Sequence, residues 1–336
     1  MTNKTYEKIK NFIKENYKFI LLLLAVFLLF NIKLPYYITT SGGLIDIESR
    51  IDIEEKKEIE GSFNLAYVNE LHATIPFLLI SLFNDDWEVL KEEDITVNQE
   101  DIEDVYIRDS LLLQEANNNA IKLAYKKAFS SVKVIESKVY VVYIDEEAKT
   151  DLSVGDQIVK VNNVSISSKE DLYTYIKKQP ENETLTFEVI NNDKTYTREA
   201  ITFKEADETF VGIMIANVDT LETDPEINIK FRDSESGSSG GLMMSLAIYN
   251  YLIDEDITKG RKIVGTGTID ENGNVGSIGG VKYKLKGAVK EKADLFFVPV
   301  GENYEEVLKL KEENNYDIEI IAVETLDEAI DYLENN

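Results

Sequence analysis

The chain has 336 residues, 43% of them hydrophobic and 10% aromatic, which suits about two ordinary domains and excludes a disordered tail or a fibrous repeat. Cysteine is absent and His72 is the single histidine, so disulfide frameworks, zinc ribbons, iron–sulfur clusters, histidine-rich metal centres and cysteine nucleophiles are excluded. With 63 acidic residues against 36 basic ones the formal charge is −27, which argues against nucleic acid as a partner, because phosphate binding needs a concentrated basic face.

The charge is uneven. In residues 1–18, Lys4, Lys8, Lys10, Lys14 and Lys18 outweigh Glu7 and Glu15, and an apolar run from Phe19 to Phe30 follows. Carried on through Ile38 the run reaches about 20 residues, the length that spans a bilayer, with tyrosines at both ends suited to the interfaces. The expectation is an uncleaved single-pass anchor at 19–38, with a cytoplasmic N-terminus by the positive-inside rule and the rest of the chain extracellular. A cleaved signal peptide is the rival, and the run lacks an A-x-A-like site after it.

Ile45, Ile47, Ile51 and Ile53 fall on one face of an extended chain, and with Gly61–Val68 they read as a strand pair. Residues 70–84 read as an apolar helix. A longer helix fits 109–129, where Leu112, Ala116, Ala120, Leu123, Ala124 and Ala128 form a stripe suited to core packing. Residues 130–203 are β-rich, with strands at Val139–Ile144, Gln157–Val161 and Leu185–Ile190 and a helix near Lys169–Lys178. The run from Leu152 to Asn162 contains a Gly-Asp turn feeding a strand that ends in Val-Asn, and it resembles the PDZ signature. That resemblance implies a peptide groove between strand 139–144 and helix 169–178. From residue 204 onward, strands and helices alternate to the end of the chain, as in an α/β or α+β domain.

Gly237-Ser238-Ser239-Gly240-Gly241 lies between a strand and a helix and matches G-x-S-x-G. Glycines allow a tight turn there, and a helix N-terminus offers free N–H groups to an oxyanion. An esterase triad of this type needs a histidine after the serine, and none follows Ser239. A serine hydroxyl still needs a base. The remaining common choice is a lysine whose pKa is lowered by desolvation or by neighbouring positive charge. Several lysines stand in Gly273–Ala288, and residue type alone does not choose among them.

Three segments together carry a second resemblance. Ser239 with its flanks, Gly265-Thr266-Gly267-Thr268-Ile269, and Val275-Gly276-Ser277-Ile278-Gly279-Gly280-Val281-Lys282-Tyr283-Lys284 resemble the successive motifs of the Lon-type Ser-Lys protease domain. Phe297–Asn303 resembles that family's later P-x-x-x-N segment. The resemblance implies Ser239 as nucleophile, Lys284 as general base and Thr266 as the group that orients the lysine. Backbone N–H groups around Gly237, Ser238 and Gly240 would hold the oxyanion. The family's Pro-Ser-Ala is Ser238-Ser239-Gly240 here, so Ser238 is the rival nucleophile, and Lys282 is the rival base.

The sequence holds no G-x-x-x-x-G-K-[ST] phosphate loop. The whole arrangement resembles the membrane-anchored, PDZ-containing Lon-like serine proteases of Gram-positive bacteria. This implies an α+β fold with an N-terminal transmembrane helix and a Lon-type protease domain interrupted by a PDZ-like domain. Its parts would be a cytoplasmic segment 1–18, the anchor 19–38, protease residues 39–129, the PDZ domain 130–203 and the catalytic region 204–336. The implied activity is ATP-independent endoproteolysis of exported peptides or proteins, with the PDZ domain capturing substrate or regulating access. No cofactor or metal is called for, nucleic acid is not a partner, and relatives with such domains often form homo-oligomeric rings. The alternative is a catalytically inactive PDZ adaptor on the same scaffold.

Overall fold

The computed structural model describes residues 3–54, 56–84, 86–96, 100–232 and 234–336. In chain order the first part holds α1 (Asn3–Asn31), β1 (Tyr36–Asp46), a single 3-10 turn (Ile47–Ser49), β2 (Ile51–Ile53), β3 (Ser62–His72), α2 (Ile75–Ser81), β4 (Trp87–Lys91) and α3 (Glu92–Ile95). The long helix α4 (Ile102–Lys127) leads into a β-rich stretch: β5 (Ser131–Ile144), β6 (Lys149–Thr150), β7 (Gln157–Val161), β8 (Val164–Ser165), α5 (Lys169–Lys177), β9 (Thr184–Asn191), β10 (Lys194–Ile201), β11 (Phe203–Glu205), β12 (Glu208–Phe210) and β13 (Ile213–Asp224). The last part is β14 (Ile227–Ile229), α6 (Gly241–Leu252), β15 (Lys262–Gly265), β16 (Thr268–Ile269), β17 (Val275–Gly276), α7 (Val281–Lys290), β18 (Leu295–Pro299), α8 (Glu302–Asn314), β19 (Glu319–Val323) and α9 (Leu326–Asn335). Two compact units result: one of Met1–Ser41 with Val68–Val97, the other of Gly42–Tyr67 with Asn98–Asn336.

In the first unit, α1 ends at Asn31. Its uninterrupted apolar part, Phe19–Phe30, rises only about 18 Å at 1.5 Å per residue, against about 30 Å of bilayer hydrocarbon. Ile32–Ile38 do not lengthen the helix. Pro35 has no N–H for a further turn, and the chain is already extended from Tyr36. Among the described residues no helix is long and apolar enough to cross a membrane. This overturns the transmembrane helix expected at 19–38 and the single-pass, extracellular placement that rested on it. Residues 70–72 belong to β3 rather than to a helix, since Leu34 donates to the Ala73 carbonyl (2.9 Å) and Ala73 to that of Tyr36 (2.8 Å). Pro76 in the first turn of α2 suits the later start. His72 stacks on Tyr37 with ring centroids 4.5 Å apart, and its Nε2 lies 2.9 Å from the Leu34 carbonyl oxygen.

Among the described residues, the second unit has two main cores and a smaller cluster of Leu111, Val142 and Ala216. One surrounds a parallel array in the order β19-β18-β15-β3, with Ile263 opposite both Leu295 and Phe63. Helices α4, α6 and α9 supply one covering layer through Tyr125, Leu242, Met243, Ala329 and Leu333, and α7 and α8 pack through Val281, Leu285 and Val307. The crossovers β15–α7–β18–α8–β19 are βαβ units, which place helix N-termini at the carboxyl ends of the strands. Ile51 and Ile53 lie on β2, paired with β14 instead of with β3.

The second core is that of the β-rich lobe, where Leu172 and Ile176 of α5 pack on Val141, Leu185, Phe187 and Val189. Its sheet runs β13-β5-β7-β9-β10-β6. Strand β13 pairs with β5 from Ile213↔Ile144 to Asp224↔Ser131. Strand 139–144 pairs with β13 from Val139 to Ile144, with a register shift at Val142, and with β7 at Val139 and Tyr140. The edge beside α5 is that of β13. A groove of about 690 Å³ lies there, lined by Leu172, Tyr173 and Ile176 of α5 and by Gly212, Ile213 and Met214.

Candidate active site

The loop before α6 carries the candidate nucleophile. Gly237 adopts φ of +90°, a conformation that favours glycine, and donates its N–H to the Asp109 carbonyl of α4 at 3.1 Å. The chain then turns through Ser238 and Ser239 into the N-terminus of α6. Gly241 must be glycine for a packing reason: a Cβ there would stand 2.5 Å from Ile269 Cγ2. The contact lets β16 close against the start of α6. The loop is tied further by Arg50, whose Nε donates to Glu235 Oε2 at 3.1 Å, while the same oxygen accepts the Arg232 N–H.

Directly after β15, Thr266 and Gly267 grip the nucleophile's own backbone. Gly267 donates its N–H to the Ser239 carbonyl at 2.8 Å, and the Thr266 hydroxyl donates to the same oxygen at 3.1 Å. Thr266 is held in turn by its N–H bond to the Phe297 carbonyl of β18 at 3.0 Å.

Lys284 comes from the first turn of α7. Its Nζ lies 2.9 Å from Ser239 Oγ and 3.1 Å from Thr266 Oγ1. The residue is 4% exposed and Thr266 is fully buried. Segments separated by 27 and 18 residues in sequence thus meet within hydrogen-bonding distance of one amine. Such a set can do one kind of chemistry: a neutral amine can accept the serine proton while its own N–H bonds to the threonine hydroxyl.

The structure separates the sequence-level candidates. Ser239, not Ser238, has its hydroxyl bonded to Lys284; the Ser238 carbonyl accepts the Gly241 N–H at 3.2 Å. Lys282 points its Nζ over the Tyr283 ring, 4.8 Å from the centroid. The Gly237 N–H is spent on Asp109, which takes it out of the donors an oxyanion could use. Sequence reasoning missed Asp109, Arg50 and Glu235, because their partners lie far along the chain and no motif marks them. It noticed Asn303 but gave it no role. Asn303 accepts the Ile278 N–H and donates to the Ile278 carbonyl, both at 2.9 Å.

Ser239, the buried Lys284 and Thr266 thus meet where α6 begins, beside the end of β15. Residues 225–334 match the family described as Lon protease (S16) C-terminal proteolytic domain, and residues 129–202 match the PDZ domain family. The chain therefore carries both domains, and by the first it is a serine peptidase. A Lon protease from Campylobacter jejuni is 35% identical over 99 residues, 29% of this chain and 12% of that protein, so the chain spans only a small share of that relative's length. Among solved structures, the chain is similar to the PDZ domain of the SdrC-like protein from Listeria monocytogenes, with 19% identity, coverage of 25% of this chain and 92% of that one, and a TM-score of 0.23. The PDZ domain of the SdrC-like protein from Listeria innocua gives 20%, 23%, 92% and 0.22 for the same quantities.

Proposed function

We propose that the chain is an ATP-independent endopeptidase working through a Ser239–Lys284 dyad on flexible or already unfolded polypeptides. The observation that carries the proposal is the 2.9 Å approach of Lys284 Nζ to Ser239 Oγ, with Thr266 Oγ1 at 3.1 Å from the same amine. Burial penalises an ammonium relative to a neutral amine, and a general base must be neutral to act. Lys284 would take the proton as Ser239 Oγ attacks the scissile carbonyl, then return it to the leaving amine. A water deprotonated by the same amine would release the acyl group. With the Gly237 N–H engaged, the N–H groups of Ser238, Ser239 and Gly240, leading into α6, would be the donors for the oxyanion. The cavity of about 420 Å³ lined by Tyr106, Leu113, Gln114, Phe231, Arg232 and Ser236 adjoins the nucleophile loop and would receive a substrate side chain. The PDZ lobe would capture substrate as a strand added to the β13 edge beside α5.

The test incubates the full chain, Ser239→Ala and Lys284→Ala with an unfolded protein such as reduced casein, without nucleotide, and reads new peptide ends by mass spectrometry. New ends made by the wild type alone are expected, at a rate that rises with pH through the neutral-to-alkaline range as the amine loses its proton. Equal patterns from all three folded proteins, or an acidic optimum, would refute the dyad.

A further inference from the structure

We infer that Asn303 is a positioning residue that sets the register of the helix bearing Lys284; the inference rests on the peptidase reading above. Strand β17 ends at Gly276, and α7 begins after Gly280, which adopts φ of +67° and ψ of +27°. Between them the chain passes through Gly279 and Gly280, two residues that resist bending least. A Cβ at Gly279 would meet nothing within 4 Å, so the Cβ side of this glycine is open.

Ile278 packs against the core of Val281, Leu285 and Val307, and its backbone is tied down by one side chain. Asn303, the second residue of α8 and only 8% exposed, accepts the Ile278 N–H through Oδ1 and donates through Nδ2 to the Ile278 carbonyl, each at 2.9 Å. This is the pair of bonds a neighbouring strand would make, supplied to a segment that has left its strand. The effect reaches the amine in two short steps. Ile278 fixes the path into Gly280, and the Gly280 carbonyl accepts the backbone N–H groups of Tyr283 (3.1 Å) and Lys284 itself (3.3 Å). Val281 and Leu285 face the core and decide which side of α7 is buried. They leave sliding along the axis to be decided by the helix start, and that start is where Asn303 acts.

A slip of about 1 Å at a reacting group can cost on the order of a hundredfold in rate. Loss of the clamp should therefore lower turnover without weakening substrate binding. It should also let water reach the amine, which eases protonation and moves the rise in activity to higher pH.

The experiment measures kcat, KM and the pH profile of the wild type, Asn303→Ala and Asn303→Asp on a fluorogenic peptide, with Ser239→Ala as background and melting curves on each. Asn303→Asp keeps the volume and the acceptor for the Ile278 N–H but sets an oxygen against the Ile278 carbonyl, so it carries the test if the alanine variant does not fold. The expected result is a fall in kcat of about tenfold or more in the folded variants, KM within about twofold, and the pH rise displaced towards alkali. A general loss of folding would lower the active fraction and leave the pH profile in place. Folded variants with wild-type kcat and pH profile would overturn the role of Asn303. A wild type with no activity above the Ser239→Ala background would instead overturn the peptidase reading on which it rests.

Discussion

Thr266→Val puts the geometry of the dyad to a quantitative test. The Thr266 hydroxyl serves two partners at once: it donates to the Ser239 carbonyl at 3.1 Å and lies 3.1 Å from Lys284 Nζ. Valine keeps the branched shape of a fully buried side chain and removes both bonds. The two partners are not affected equally. The Ser239 carbonyl keeps the Gly267 N–H at 2.8 Å, so it retains a donor. Lys284, in a place closed to solvent, loses one acceptor and keeps Ser239 Oγ at 2.9 Å. A buried polar group that loses its partner costs about 1–3 kcal/mol, and if that falls on the transition state it amounts to about 5- to 150-fold in kcat. KM should stay near the wild-type value, because Thr266 faces the amine and not the substrate. The assay is steady-state cleavage of a fluorogenic peptide from about pH 6 to pH 10, with Thr266→Ser, which keeps the hydroxyl, as the control. A Thr266→Val protein that cleaves within about twofold of the wild type at every pH would refute the assignment of this hydroxyl to the lysine.

Three further outcomes follow from packing and charge. Gly241→Ala should lower stability by about 1–3 kcal/mol through overpacking, because its Cβ would stand 2.5 Å from Ile269 Cγ2; an unchanged melting temperature would show that β16 yields freely. Asp256 is desolvated, which by itself raises its pKa, but bonds from the Glu60 N–H, the Thr258 hydroxyl and N–H, and the Asn250 amide outweigh this and hold it below the ordinary carboxylate value. Its stabilisation is therefore complete above the unfolded pKa and lost as pH falls through the lower folded one, so melting curves of Asp256→Asn should show less acid destabilisation than the wild type. An equal slope in both would remove Asp256 from the account. Met214→Asp, at a 59% exposed position on the β13 edge, should slow cleavage of an unfolded protein while leaving a short fluorogenic peptide untouched; equal slowing of both would deny the groove a separate role in capture.

Much of the local structure could be read from residue order alone. The helical stripe of 109–129, the strands at 157–161 and 185–190, and the alternation after residue 204 all depend on contacts within a few residues, where periodicity is informative. The domain matches and the serine peptidase assignment rest on motifs that are likewise contiguous. Where local pattern misled, a distant partner was responsible. The apolar run at 19–30 looked extendable to Ile38, but Pro35 and the pairing of β1 end the helix. The groove beside α5 is lined by Tyr143 of strand 139–144 and by Ile213, Met214 and Ile215 of β13, because a strand some 70 residues later pairs with β5 and forms the sheet edge. Hydropathy at Val139–Ile144 could not reveal a neighbour of that kind. The choice of Ser239 over Ser238 as the lysine's partner, and of Lys284 over Lys282, was also beyond composition. Both serines sit in the same turn, and both lysines open the same helix. Only the packed start of α7, with Val281 and Leu285 against the core, turns Lys284 inward to the Ser239 hydroxyl while Lys282 lies over Tyr283. Residue order determined which chemical groups were present and in which elements. Their meeting at one point was decided by tertiary packing, since a hydrogen bond requires an approach of about 3 Å between atoms that the chain itself leaves dozens of residues apart.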